Sequence, residues 1–169
     1  MGPNGFIQTR TLSVRFVDTT ETRPRWRFNL AHRVDARLQL GLEWNAAANE
    51  VVPTGNWIVA TETDSRPMVS VGTSSDRIFS PPGTRAWYVT AGKSTGRAAP
   101  YVSLFHSGWE RRWRFPAGVN LQLSPHVDLL PMTDGRNAHV LLSHRREQSN
   151  ISLMWIALRH PGIGMGWSY

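Results

Sequence analysis

The sequence predicts an all-β chain, an antiparallel up-and-down transmembrane β-barrel of about ten to twelve short strands forming a single domain over 1–169. Three observations carry this. Apolar and polar residues alternate at period two from Trp26 to Trp44, turn signals recur at short intervals, and the final eight residues alternate just as strictly. A length of 169 residues fits one domain with its own core, and no helical period is long enough for β-α-β units.

The first strand is read from Leu12, Val14 and Phe16, which alternate with Ser13 and Arg15. Asp18 to Pro24 then reads as a turn. Trp26, Phe28, Leu30, His32, Val34, Ala36, Leu38, Leu40, Leu42 and Trp44 oppose Arg27, Asn29, Ala31, Arg33, Asp35, Arg37, Gln39, Gly41 and Glu43. Such a run is too long for one strand, so it breaks near Arg33-Val34-Asp35 into a hairpin whose arms share one outward side. A Trp then sits near each open end.

Asn45 to Asn56 reads as a turn region, followed by strands at Trp57, Val59 and Thr61, at Val69 and Val71, and at Trp87, Val89 and Ala91. Between them stand Asp64 to Pro67, Ser80-Pro81-Pro82-Gly83 and Thr95-Gly96. The series Trp113, Phe115, Ala117, Val119, Leu121, Leu123 opposes Arg112, Arg114, Gly118, Asn120 and Gln122. Segments 99–107, 126–132 and 137–145 have weaker strand patterns, while 150–158 is apolar on both faces. Thr133 to Arg136, Arg145 to Asn150 and His160-Pro161-Gly162 complete the turns.

Faces of this kind suit a wall between lipid and a polar interior. An outside of Leu, Val, Phe and Trp meets acyl chains, and an inside of Arg, Glu, Asn, Gln, Gly and Ser forms a polar network. Arg15, Arg27, Arg37, Glu43, Glu62, Arg112 and Arg114 are the expected lumen-facing residues. Trp26, Trp44, Trp57, Trp87 and Trp113 are the expected aromatic girdle, because indole combines an apolar body with an N–H that seeks a partner. A soluble β-barrel turning the oily face inward, to bind an apolar ligand, is the alternative.

At the end of the chain, Ile163, Met165, Trp167 and Tyr169 alternate with Gly162, Gly164, Gly166 and Ser168. This resembles the C-terminal strand signal of bacterial outer-membrane β-barrels, with an aromatic terminus and apolar residues two, four and six places before it. Position 161, where one more apolar residue would fit, is Pro. Gly72 to Ile78, Pro116 to Asn120 and Asp134 to His139 look similar to segments of short, uncharacterised bacterial barrel proteins. The resemblance implies a bacterial outer-membrane address, with the terminal four apolar residues as an insertion signal, and implies no activity.

Composition narrows the function classes. Nineteen Lys plus Arg against twelve Asp plus Glu give a net charge of +7, and Lys93 is the one lysine. The arginines are spread along the chain, so a nucleic-acid partner is not expected and the charge points to anions or to pairing inside the barrel. Cysteine is absent, which excludes disulfides. No stretch approaches the ~20 apolar residues of a membrane helix. The first residues, Met-Gly-Pro-Asn-Gly-Phe, have neither the charged and apolar regions of a secretory signal nor a good myristoylation pattern.

No cofactor and no metal are expected, since the six histidines are scattered and form no compact ligand motif. An outer-membrane lipid-modifying enzyme would need Ser, His and carboxylate in reach, for which His106-Ser107 with Glu110, and Ser143-His144 with Glu147, are the candidates. Neighbours on a strand point to opposite faces, so these pairs should not meet and no enzyme is expected. The function expected is a structural or interaction subunit of an envelope assembly, or a narrow anion-biased pore. Its partners would be membrane lipid and envelope proteins.

Overall fold

Period-two alternation closes on itself here. A computed structural model describes residues 10–169; the N-terminal hexapeptide considered above lies outside the described residues. The strands are β1 (Arg10–Val17), β2 (Trp26–Arg33), β3 (Leu38–Asn45), β4 (Glu50–Ala60), β5 (Met68–Ser75), β6 (Arg85–Gly92), β7 (Ala98–Ser107), β8 (Arg112–Arg114), β9 (Ala117–Ser124), β10 (Val127–Thr133), β11 (Ala138–Arg146), β12 (Ser149–Ile156) and β13 (His160–Ser168). Every pairing is antiparallel, and β1 pairs with both β2 and β13, so the sheet closes without an edge.

The barrel has twelve staves, because β8 and β9 continue one register against β7. Phe115-Pro116 interrupts them. Proline has no N–H for the ladder, although its carbonyl still accepts from the Ser103 N–H at 2.7 Å. The β2–β3 hairpin forms where the alternation breaks, with Phe28 opposite Trp44 and Arg33 opposite Gln39.

Two turn expectations are corrected. The stretch 45–56 is mostly strand: a short helical turn at Ala46–Ala48 ends on Asn49 at φ 48°, and β4 begins at Glu50. Asn suits that left-handed position better than most residues. The last turn is 157–159 instead of 160–162, with Ala157 and Leu158 at φ 53° and 54°, and His160-Pro161 already belongs to β13.

The large apolar residues stand outside. Leu12, Leu30, Leu40, Leu42, Val89, Leu104, Leu153 and Ile163 are exposed on the outer wall, while Glu43, Asn45, Ser70, Ser103, Asp128, His139 and Ser152 are buried within. A belt of this kind is what a barrel standing in lipid presents. The soluble alternative, with its oily face inward, is therefore not the arrangement found. Most strands run eight residues, at the short end for crossing a bilayer with tilt. Among the described residues no helix is long and apolar enough to cross a membrane.

A barrel of eight strands fills its interior with side chains, and one of ~16 leaves a channel. Twelve is intermediate, and this chain fills part of the difference with its own backbone. The β5–β6 connection, residues 76–84, folds into one mouth of the barrel. Ile78 and Phe79, together with Leu141, pack there against Val17, Met154 and Ile156. This explains why the 150–158 segment is apolar on both faces: β12 meets lipid with Ile151, Leu153 and Trp155 and meets this plug with Met154 and Ile156.

Candidate functional site: the plugged lumen

An arginine outside the plug fastens its far end. A single helical turn, α1 (Thr22–Arg25), in the β1–β2 connection brings Arg23 to 2 % exposure beside the plug. Its Nε donates to Glu50 Oε2 at 2.9 Å and its Nη2 to Glu50 Oε1 at 3.2 Å. Nη1 and Nη2 also reach the carbonyl oxygens of Ser80 at 3.2 Å, Pro81 at 3.0 Å and Thr84 at 2.8 Å, and the Ser80 hydroxyl. Glu50 in turn accepts from the Gly83 N–H at 2.6 Å and Asn45 Nδ2 at 2.8 Å. The planar guanidinium suits this task, since its fixed fork of donors can satisfy a carboxylate and several carbonyls together.

A second fastening holds the start of the plug. Arg77 pairs with Glu110 of the β7–β8 connection, which also takes Arg114 at 2.8 Å and Arg136 at 3.4 Å. Asp76 accepts from Ser107 Oγ at 2.8 Å and the Trp109 N–H at 3.0 Å. Burial would raise the Glu110 carboxyl, but the hydrogen bond from Arg114 and the charges of Arg77, Arg114 and Arg136 prevail and lower it. In the β10–β11 turn burial likewise opposes ionisation of Asp134. The His139 ring at 3.4 Å and the amide N–H groups of Asn137 and Arg136 overcome it and hold the group at about 2.

Behind the plug lies a lumen cavity of about 380 Å³. One wall is cationic. Arg15 of β1 stands directly opposite Arg27 of β2, with Gly164 of β13 on its other side. Arg27 is committed: Nη1 meets Glu43 Oε2 at 3.2 Å, Nε donates to Asn45 Oδ1 at 3.2 Å, and Nη2 donates to Ser75 Oγ at 3.3 Å. Arg15 is different. Its Nε and Nη2 are shut away from bulk solvent and have no hydrogen-bond partner.

Another wall is aromatic. Tyr88 of β6 lies opposite Phe105 of β7 on one side and Gly72 of β5 on the other. Tyr101 of β7 lies opposite Gly118 of β9. The glycines let the rings lie flat on the wall. A Cβ at Gly118 would come within 2.9 Å of the Tyr101 ring, and one at Gly72 within 2.5 Å of Tyr88 Cζ. Tyr88 donates to Asn56 Oδ1 at 3.4 Å.

Of the residues expected to face the lumen, Arg15, Arg27 and Glu43 converge on the cationic wall. Arg114 is joined to Glu110, and Arg112 is exposed at the plugged mouth opposite Ser107. Arg37 is exposed in the β2–β3 turn, and Glu62 lies in the β4–β5 loop, accepting from the Ser94 N–H at 2.9 Å. Arg23, Glu50, Arg77 and the aromatic wall were not anticipated.

Trp26, Trp44, Trp57, Trp87 and Trp113 project from the outer wall, each at least 41 % exposed. Phe16, Trp26, Phe28 and Trp44 form a continuous row with ring centroids 4.8, 6.3 and 5.1 Å apart. Ile163, Met165 and Trp167 are also on the outside, on the strand that closes the barrel, as is Tyr169 directly after it.

The Ser and His candidates are separated. Ser107 donates inward to Asp76 while His106 stacks edgewise on Trp113 at 4.9 Å. Ser143 shares a hydrogen bond with Ser152 while His144 neighbours His126 at 6.2 Å. Among the described residues no group of three His, Asp or Glu is placed to hold a metal ion.

No family model matches the chain. No curated protein matches it either. Among solved structures it is similar to a chain described as "KdgM porin", with a TM-score of 0.64 and 11 % identity, over 94 % of this chain and 98 % of that one. At that identity the likeness speaks for the fold, and it spans essentially the whole of both chains: the protein has the closed, antiparallel, up-and-down architecture of a porin barrel.

Proposed function

We propose that this protein is a narrow, anion-biased pore of the bacterial outer membrane, held in a closed state by residues 76–84. The observation that carries the reading is the Arg15–Arg27 pair, two cations facing each other inside a barrel whose outer wall is apolar. Glu43 neutralises one of them. The remaining positive field favours anions in the lumen. The plug keeps basal conductance low.

Reconstitution into planar bilayers under a KCl gradient tests this. The expected record shows small, infrequent openings whose reversal potential favours chloride, and Arg15→Gln moves it toward no preference. Cation preference in the wild type, or silence even after the plug is unfastened, would overturn it.

The role of structural subunit in an envelope assembly keeps one observation in its favour. On the outer wall, the missing side chain of Gly55 leaves an apolar recess of about 390 Å³ beside Trp57, Val71, Trp87 and Trp113. A complex of fixed mass after mild detergent extraction, lost with Gly55→Leu, is the expected sign of that role.

A further inference from the structure

We infer that the lumen cavity is a binding site for a small monocarboxylate carried on a flat, apolar body, such as an aryl or arylalkyl carboxylic acid. The inference rests on the anion-biased lumen proposed above and names the solute class that the same cavity selects. It starts from an unbalanced pair. Like charges directly opposite one another on neighbouring strands are destabilising, and Arg15 and Arg27 are such a pair. Arg27 has three partners that offset its cost. Arg15 lines the cavity, and its Nε and Nη2 have no hydrogen-bond partner while being covered by the surrounding protein.

Unsatisfied buried donors on a cation are expensive. An oxyanion in the cavity would remove that cost once the Arg15 side chain turns toward it, because the Nε/Nη2 edge of a guanidinium is the edge that takes a carboxylate in two parallel hydrogen bonds. Other charges around the cavity are already engaged. Arg77 holds Glu110, Asp134 faces His139, and Asp76 is occupied by Ser107 and the Trp109 N–H. Arg77 Nε, Asp134 Oδ2 and His139 Nε2 also lack a hydrogen-bond partner, but Arg77 is tied to Glu110 through Nη2, and the other two atoms face each other at 3.4 Å.

The rest of the cavity decides what the anion is attached to. Tyr88, Tyr101 and Phe105 line it, together with Met132, Leu141 and Met154. A bare phosphate or acetate would meet Arg15 and leave this surface unfilled. A carboxylate on an aromatic body meets both walls, with its ring against rings held flat by Gly72 and Gly118. The volume of about 380 Å³ lies in the range of small-molecule sites.

The test is calorimetric titration of the refolded, detergent-solubilised barrel with 2-naphthoate, with titration into empty micelles subtracted. Parallel titrations use 2-naphthamide, acetate and inorganic phosphate. Saturable binding of naphthoate is expected, with the other three weaker by about tenfold or more, the scale of one lost charge-assisted hydrogen bond or of the apolar contact. Arg15→Gln should abolish binding while retaining heat-modifiable gel mobility. Should that variant not fold, Tyr101→Leu, which leaves the charges intact, is expected to weaken naphthoate severalfold. Equal binding of naphthamide, equal binding of phosphate, or wild-type affinity in the variant that folds would each overturn the proposal. An anion-preferring pore that binds no naphthoate refutes this site and leaves the pore; naphthoate binding without conductance refutes the pore and leaves the site.

Discussion

Arg23 shows how much of the seating of residues 76–84 depends on one side chain. It is buried with Glu50 and holds three backbone carbonyls of the plug, so its removal strands a carboxylate inside the barrel and releases the chain it gripped. Breaking a buried pair by deleting one partner costs about 3–5 kcal/mol. Arg23→Ala should therefore lower the temperature at which the folded gel band is lost and raise single-channel conductance. Arg23→Lys keeps the charge but not the fork of donors, and should fall between. Wild-type conductance in the alanine variant would show that residues 76–84 do not close the pore. None of this was legible in sequence, because Arg23 sits in a stretch of turn residues and Glu50 in a stretch that also reads as a turn. Arg15 was legible as an inward residue from its alternation with Val14 and Phe16. Its lack of a partner was not, since that depends on the register of β1 against β2 and β13.

At the level of elements, the outer wall was more legible than the interior. The β2–β3 hairpin follows from its alternation because lipid on one side and polar groups on the other impose the same period on every residue. The plug obeys no period. Ile78 and Phe79 are followed by Ser-Pro-Pro-Gly, which reads as an exposed turn, and the doubly apolar β12 was the one local sign that something oily lay inside. Because Glu110 holds Arg77, the plug should respond to acid. Glu110 and Asp134 both titrate below their ordinary values, so their contribution is complete above the ordinary carboxylate pKa near ~4 and is lost as pH falls through their folded values, toward about 2 for Asp134. Open probability in bilayers should rise over that window. Glu110→Gln should open more at neutral pH and lose much of the acid response; an unchanged profile would remove Glu110 from the closing mechanism.

For the whole molecule, closure is the governing fact. Strand β13 is hydrogen-bonded on both sides, to β1 and to β12, and its inward glycines leave room for the side chains of neighbours, Asn150 beside Gly166 and Met154 beside Gly164. A chain lacking residues 162–169 leaves two unpaired edges, which a bilayer interior does not tolerate. It should fail to give a heat-modifiable band, and normal insertion would contradict the closing role of this strand. The general architecture was legible because closure repeats one simple rule around the circumference. The plug was less so, since it lies in an irregular connection, and the cavity lining depends on which strands face one another.

The aromatic residues are unevenly shared between the two rims. Trp26, Trp44, Trp87, Trp109, Trp113 and Trp155 lie toward the plugged mouth, whereas Trp57 and Trp167 lie toward the mouth where Arg10 pairs with Tyr169. Indoles resist leaving the headgroup region. In a bilayer the crowded rim would thus be moored to its leaflet, and a change in bilayer thickness would be taken up at the opposite rim, leaving the plugged mouth at constant depth.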